Sequence, residues 1–378
     1  MIRLEKLRLY FFVFSMFLVE FSAFSQNVNF VYSIKDGLVI LSILIMIFNL
    51  FLTAVELRDI KKWGIIILFF ILSLISYFKT QDTLFIQLSL MLFCSINLSF
   101  EKIIKSDIVF KVFILLFNLL FHFSGLTITS YFVRRGIERQ AFGFIHPNLF
   151  GFFVFILIFE IVLLYEISSR MKASLFLLIT TPAFILLNMA ASRAAQLSLL
   201  LFSILFLLNK LLNRKSIIFL NYKFSGLMIF ILLIFGTVQL TNLYPQNSIV
   251  VTLNNILSNR LLFQSIFLRN YNFSLFGNIV DYSRYVLDNS YLRLLLNYGT
   301  ITSSMFAYIF YSSLRKAKNN YTMQLVFVTL MFYGLMEWYM LRPFLNIFLV
   351  YFMCDNNILK GSLDDEKISF NNNTNIQR

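Results

Sequence analysis

Charge is scarce in this chain. Only 13% of its 378 residues are Asp, Glu, Lys or Arg, against roughly 25% in a soluble domain. Because 59% of the residues are hydrophobic, the scarcity excludes a water-soluble globule. Cysteine is limited to Cys94 and Cys354, both inside apolar runs, which excludes a disulfide framework. Segments of about ten alternating polar and apolar residues are missing, which excludes a membrane β-barrel. Zinc-ligand clusters and phosphate-binding glycine loops are missing too. The Asp-Asp pair at Asp364-Asp365 falls in the terminal tail. No metal, nucleotide, ATP or other cofactor is therefore expected. No internal repeat is visible.

What the chain does have is apolar length. Its mean hydropathy is +0.79, and a membrane span needs about 20 mainly apolar residues. Runs of that kind lie near 7–25, 37–54, 63–78, 82–98, 108–126, 147–165, 173–190, 194–209, 224–241, 290–312, 321–338 and, shorter, 343–354. The expected fold is all-α: a polytopic integral membrane bundle of about 12 transmembrane helices. It forms a single domain over 1–360, followed by an Asn-rich, disordered cytoplasmic tail over 361–378. Met1–Arg8 is basic and precedes a long apolar run, but no small-residue cleavage site follows, so an uncleaved first helix is expected.

The formal net charge of +14 follows mostly from the positive-inside rule. No basic helix is free of the membrane to enter a groove, and nucleic-acid signatures are missing, so nucleic acid is not an expected partner. With both termini cytoplasmic, Arg58, Lys61, Lys62, Lys102, Lys105, Lys111, Arg170, Lys172, Lys210, Arg214, Lys215, Lys223, Arg315, Lys316 and Lys318 fall in cytoplasmic loops. Lysine then lies almost wholly inside. Arginine dominates the far side, with Arg134, Arg135, Arg139, Arg193, Arg260, Arg269, Arg284, Arg293 and Arg342. Outer arginine in excess of lysine needs another explanation, and a lipid-linked phosphate or diphosphate supplies one.

Two outer loops stand out, near 127–146 and 242–289. The second is far longer than the 12–15 residues beyond which a loop is usually functional or disordered. Within it, Leu253, Ile256, Leu257, Leu261 and Phe267 recur near helical spacing, and an amphipathic helix lying on the bundle is expected over Ile249–Phe267. Inside the spans, Glu20, Asn49, His122, Glu160 and Asn188 are costly in lipid and should face the bundle interior. Glu160 lies about 21 Å along its helix from His146, too deep for chemistry at the outer surface, and should pair with a neighbouring helix.

Three short motifs could carry chemistry. Arg139-Gln-Ala-Phe-Gly-Phe-Ile-His146-Pro147-Asn148-Leu-Phe-Gly151 leads into the sixth span. Its Pro suits a first helical turn, and the free N–H groups there favour an anion. A plain turn and cap would use the same residues. Ala191-Ser192-Arg193-Ala194 is a brief break between spans, where Arg193 is either a ligand or a snorkelling anchor. Leu287-Asp288-Asn289-Ser290-Tyr291-Leu292-Arg293, followed by Asn297-Tyr298-Gly299, opens the tenth span, and Asp288 and Asn289 could simply cap it.

Taken together, Gly143 to Asn148, Ser192-Arg193, Arg260 and Asp288 to Leu292 resemble the polysaccharide polymerase and O-antigen ligase superfamily of bacterial envelopes. The likeness covers roughly 125–345 and is greatest to the repeat-unit polymerases of capsule and exopolysaccharide. Ligases of that superfamily usually carry His in the long outer loop. Here the loop has none, and Asp288 stands in the matching place, which favours a polymerase.

The resemblance implies a glycosyltransferase of the bacterial cytoplasmic membrane. Its donor and acceptor are oligosaccharide repeat units on polyprenyl diphosphate, its surroundings are membrane lipids, and its neighbours are flippase and chain-length regulator proteins. It implies that Arg139, Arg193 and Arg260 stabilise the departing diphosphate, with Arg193 among the catalytic residues. Arg293, Arg284, Asn148 and Asn289 would bind substrate. Asp288 and His146 are both candidates for the base. Two alternatives remain at this point: a ligase-like transferase, and a non-enzymatic flippase of the lipid-linked unit.

Overall fold

The computed structural model describes residues 2–56, 60–129, 131–134, 136–168, 171–212, 224–257 and 259–355. The tail at 361–378 and the basic residues Arg58, Arg135, Arg170, Arg214, Lys215 and Lys223 lie outside them. In order, the elements are α1 (Ile2–Ser25), α2 (Asn29–Glu56), α3 (Ile60–Thr80), α4 (Leu84–Cys94), α5 (Phe100–Phe123), β1 (Tyr131–Arg134), β2 (Ile137–Gln140), α6 (Pro147–Ser168), α7 (Ala173–Met189) and α8 (Arg193–Leu212). They continue with α9 (Ser225–Asn242), α10 (Ser248–Ile256), α11 (Arg260–Asn270), α12 (Ser290–Arg293), α13 (Gly299–Lys316) and α14 (Tyr321–Gly334).

Among the described residues, six helices are long and apolar enough to cross a membrane: α1, α2, α3, α6, α8 and α9. They differ in what they bury. For α6, 72% of the apolar window is buried, against 22% for α2 and 28% for α3 and α9. The outer helices turn Leu44, Phe51, Leu68, Phe78, Leu232 and Phe235 outward, all more than half exposed. Apolar faces of this extent belong in lipid rather than water. The fold is thus a mostly helical, membrane-type bundle with α6 at its centre, packed on by α5, α7, α8 and α14.

The expected twelve spans are not all present as spanning helices. The run at 82–98 makes only the short α4. The run at 290–312 is broken: four residues of α12, a five-residue wide turn over Leu294–Tyr298, then α13. The run at 343–354 is not a long helix but consists of tight single turns, Pro343–Leu345 and Ile347–Val350. Its side chains from Pro343 to Tyr351 are buried. Irregular backbone at membrane depth is tolerated only where protein surrounds it, and α4 and the single turns pack on one another.

The mostly helical architecture is as expected, and β1 and β2 add one small antiparallel hairpin with Phe132 opposite Arg139. The amphipathic segment of the long loop is two helices, α10 and α11. They are separated at Asn259, whose φ of 67° is left-handed, a conformation Asn tolerates better than most residues.

The long loop is built, not slack. Phe267, Val280, Leu287, Leu292 and Leu296 form a small core of their own. Beyond it, the loop lies directly on the broken helix. Thr300 N–H donates to Ser274 O at 2.9 Å, Ile301 N–H to Leu275 O at 3.1 Å and Asn278 N–H to Asn297 O at 3.1 Å. These bonds satisfy groups freed where α12 gives way to α13. Only glycine fits the contact. A Cβ on Gly277 would stand 2.0 Å from Asn297 O, and one on Gly299 would stand 2.4 Å from Gly277 N.

Candidate functional site

The three sequence motifs meet at the end of the bundle that carries the hairpin and the long loop. The hairpin delivers Arg139, which is 5% exposed. Its Nε donates to Ala190 O at 3.1 Å, and its Nη2 to Ala191 O at 3.2 Å and to Asn148 Oδ1 at 2.6 Å. Arg139 thereby fastens the α7–α8 turn to the start of α6. The same two segments touch again at Gly151, where a Cβ would stand 2.0 Å from Ser192 Oγ. Helix α6 starts at Pro147, where proline is preorganised and lacks only an N–H that no helix bond would use. The preceding His146 accepts the Asn148 N–H on Nδ1 at 3.1 Å, and its ring sits 5.6 Å from Phe132.

The hub of the site is a residue that none of the motifs contains. Glu337 stands three residues beyond the end of α14 and is 2% exposed. Its Oε1 accepts Asn148 Nδ2 at 2.8 Å and Arg260 Nη2 at 2.6 Å. Arg260 opens α11 just after the left-handed Asn259, and Asn254 Oδ1 accepts the Leu262 N–H at 3.0 Å to cap that helix. The break between α10 and α11 therefore aims Arg260 back at the bundle. Asp288 Oδ2 lies 3.9 Å from the same Nη2, with 32% of its side chain exposed. Arg260 Nη1 is buried and has no hydrogen-bond partner among the described residues.

The neighbours of Glu337 are fixed in turn. Asn289 caps α12 by accepting the Leu292 N–H at 2.9 Å, and its Nδ2 donates to Leu335 O at 2.8 Å. Ser290 Oγ donates to Glu337 O at 2.7 Å. Burial pushes the Glu337 carboxyl up to about 7. The Arg260 guanidinium pulls it back, and the Asp288 carboxylate adds to the rise.

Next to Glu337, Trp338 carries two cations. Arg293 Cζ lies 3.8 Å from its ring centroid and Arg342 Cζ 4.2 Å. Arg293 also covers Tyr282 at 4.3 Å. It is 7% exposed, and its Nε has no hydrogen-bond partner, while Arg342 is open to solvent. The carboxylate of this corner, Asp82, accepts Tyr298 OH at 2.6 Å and the Leu84 N–H at 3.0 Å. Among the described residues neither Arg293 nor Arg342 has a carboxylate at ion-pair distance. A burial cost of at least about 2.5–3.5 kcal/mol attaches to an arginine at membrane depth. Aromatic faces offset part of it, and an anionic ligand fits the remainder.

The structure brings together Arg139, Asn148, Arg260, Asp288, Asn289 and, one corner away, Arg293. It does not bring in Arg193, which is exposed and lines a separate lateral cleft of about 610 Å³ with Phe184, Asn188, Gln196, Leu197 and Leu200. Asn188 is likewise exposed rather than interior. Arg284 is exposed and lies 5.4 Å from the Tyr285 ring. Glu337, Trp338 and Arg342 were missed as a group. The available signal was Glu337 itself, a lone acid at the end of an apolar run, because an ionisable residue there needs a partner. Comparison with known proteins adds no relative: no family model, no curated protein and no solved structure matches the chain.

Proposed function

We propose that this chain is a bacterial membrane glycosyltransferase that joins polyprenyl-diphosphate-linked oligosaccharide repeat units at the outer face of the cytoplasmic membrane. Both termini then lie on the cytoplasmic side. One observation carries the reading. Arginines from separate elements, Arg260, Arg293 and Arg342, gather around Glu337-Trp338 beside a half-exposed carboxylate, Asp288. Guanidinium groups stay charged and offer paired donors that match phosphate oxygens. In a low-dielectric cleft each such contact is stronger than in water.

In this reading the acceptor sugar hydroxyl attacks the donor's anomeric carbon. The bond from that carbon to the diphosphate oxygen breaks, and the diphosphate leaves with the electron pair. Arg260, Arg293 and Arg342 stabilise the charge that grows on it. Asp288, the more open of the two carboxylates, takes the hydroxyl proton. Glu337 is a positioning residue that holds Arg260 and Asn148, and Arg139 positions the start of α6. Two of the expected roles therefore shift: Arg139 acts through structure, and Arg193 lies outside the reacting group.

The test is the lipid-linked glycan of cells lacking this chain, complemented with wild type or with Arg260→Lys. Single repeat units on the outer face in place of polymer, rescued by wild type, are the expected result. Arg260→Lys keeps the charge and loses the fork, and should lower polymer synthesis about 10²- to 10³-fold at equal expression. Units accumulating on the inner face would point to a flippase, and full activity of Arg260→Lys would remove the bidentate role.

A further inference from the structure

A second cluster of charge lies deep in the bundle, on α1, α5 and α6, and takes no part in the proposed chemistry. Lys111, expected in a cytoplasmic loop, is instead fully buried on α5. Its Nζ bonds Asp107 one turn earlier and Glu160 Oε1 of α6 at 2.8 Å. Glu20 Oε1 of α1 stands 3.0 Å away. Glu20 and Glu160 are both 0% exposed, and Asp107 is 2% exposed. Asp107 and Glu20 Oε1 thus approach the same ammonium.

One ammonium therefore faces three carboxylates. Were all four groups ionised, the cluster would hold two uncompensated negative charges in the buried interior, a state that buried carboxylates avoid by taking up protons. The oxygen atoms show where those protons belong. Among the described residues, Asp107 has no unpartnered buried oxygen, whereas Glu20 Oε1 meets Lys111 at ion-pair distance without a formed hydrogen bond, and Glu20 Oε2 and Glu160 Oε2 are buried without a hydrogen-bond partner. Two buried carboxylates that share one ammonium, Glu20 and Asp107, repel each other unless one of them carries a proton.

We propose that this tetrad is a two-proton site. Asp107 keeps its charge and pairs with Lys111, while Glu20 and Glu160 are held as neutral carboxylic acids, so that the four groups sum to zero. The protons enter from water as α1, α5 and α6 pack, and the closed cluster then ties the three helices together. The proposal does not rest on the glycosyltransferase reading. Among the described residues, the charged groups facing Lys111 are the three carboxylates named, one each from α1, α5 and α6.

The test is infrared spectroscopy of the full chain in lipid nanodiscs at pH 7, following the protonated-carboxyl C=O band and its shift in D2O. Glutamine copies a neutral Glu in shape. Glu20→Gln and Glu160→Gln should each remove one carboxyl's share of the band, and the double variant both shares, with the folded protein retained. The wild-type melting temperature should also fall more steeply as pH rises from 7 to 9 than that of the double variant, in which only groups outside the tetrad, such as Glu337, still titrate. An identical band in wild type and in the single variants would overturn the proposal. So would a wild-type melting temperature that ignores pH and rises when choline is replaced by sodium, which would mark a cation in place of the protons. If the double variant fails to fold, the single variants and the wild-type pH series still decide.

Discussion

Around Lys111, three carboxylates crowd one cation. Around Glu337-Trp338, Arg260 pairs with one buried carboxylate while Arg293 and Arg342 stack on the adjoining ring, with a second carboxylate at the rim. Both clusters touch α6: Asn148 is in its first turn, and Glu160 lies twelve residues further along, about 18 Å. The Lys111 cluster is sealed, and its four side chains are at most 3% exposed. In the Glu337 cluster Arg260 is 16% and Asp288 32% exposed. A sealed excess of one charge has to be neutralised from within, by protons. An open excess can be neutralised by a ligand that comes and goes. On the two proposals made above, similar residue types serve cohesion in one place and binding in the other, and access decides which.

The contrast breaks most severely at Lys111. Lys111→Met removes the one cation and strands Asp107 and its neighbours in a dry interior. Breaking a buried ion pair costs about 3–5 kcal/mol, a large share of a stability of roughly 5–15 kcal/mol. The expected result is loss of monodisperse protein on size exclusion from mild detergent. Removing Arg260 should cost far less in folding, because Glu337, already raised to about 7, can take a proton and become neutral. Equal yields for Lys111→Met and wild type would erase the distinction.

Glu337→Gln sharpens it. The ionised carboxylate makes a charge-assisted bond to Arg260 at 2.6 Å, and such bonds are about twice as strong as neutral ones. Ionisation grows as pH rises through about 7, so wild-type activity should climb over the same range. Stability should move the other way. The folded value lies above the unfolded reference of about 4.3, so the contribution is complete below that reference and is lost as pH rises through about 7. Glu337→Gln should lower the rate about tenfold and flatten both profiles, while Glu337→Asp should restore the pH step. A rate step near pH 7 that persists in Glu337→Gln would assign it to another group.

How much of this was legible follows from which forces leave a local trace. The apolar runs announced a membrane-type bundle, and Pro147 and Asn289 announced the helix starts they make. Spanning length was overcounted because a buried apolar run reads the same whether it is helical or irregular. The residues 343–354 are hidden by protein, not by lipid, and so had no need to close helical hydrogen bonds. The hairpin at 131–140 is short and highly charged, and its pairing depends on a partner strand rather than on its own pattern. In the site, the motifs located Asn148, Arg260 and Asp288. Glu337 was hidden because its partners sit 189 and 77 residues away in sequence. Arg193 was overread because a Ser-Arg step at a helix start looks alike whether the guanidinium points inward or toward a lateral cleft. Lys111 was misplaced because a lysine near a span's end is normally a surface residue, and only the three acids around it reverse that preference.

The smallest expected effect tests whether the Glu337 cluster depends on its own scaffold. Asn289 joins two elements. Its Oδ1 caps α12 through Leu292, and its Nδ2 holds Leu335 O, two residues before Glu337. Asn289→Ala removes both bonds, and the loss of an N-cap costs about 1 kcal/mol. The melting temperature should therefore fall by only a few degrees. Glu337 would keep Ser290 and Tyr333 as backbone partners but lose the strut that sets its approach to Arg260. Because misplacement of a charged group by about an ångström can cost a hundredfold in rate, activity should fall by more than the stability change alone accounts for. Asn289→Asp, which keeps the cap and loses the bond to Leu335 O, separates the two roles. If the strut matters, it should melt near wild type and still react slowly. If only the cap matters, it should match wild type in both.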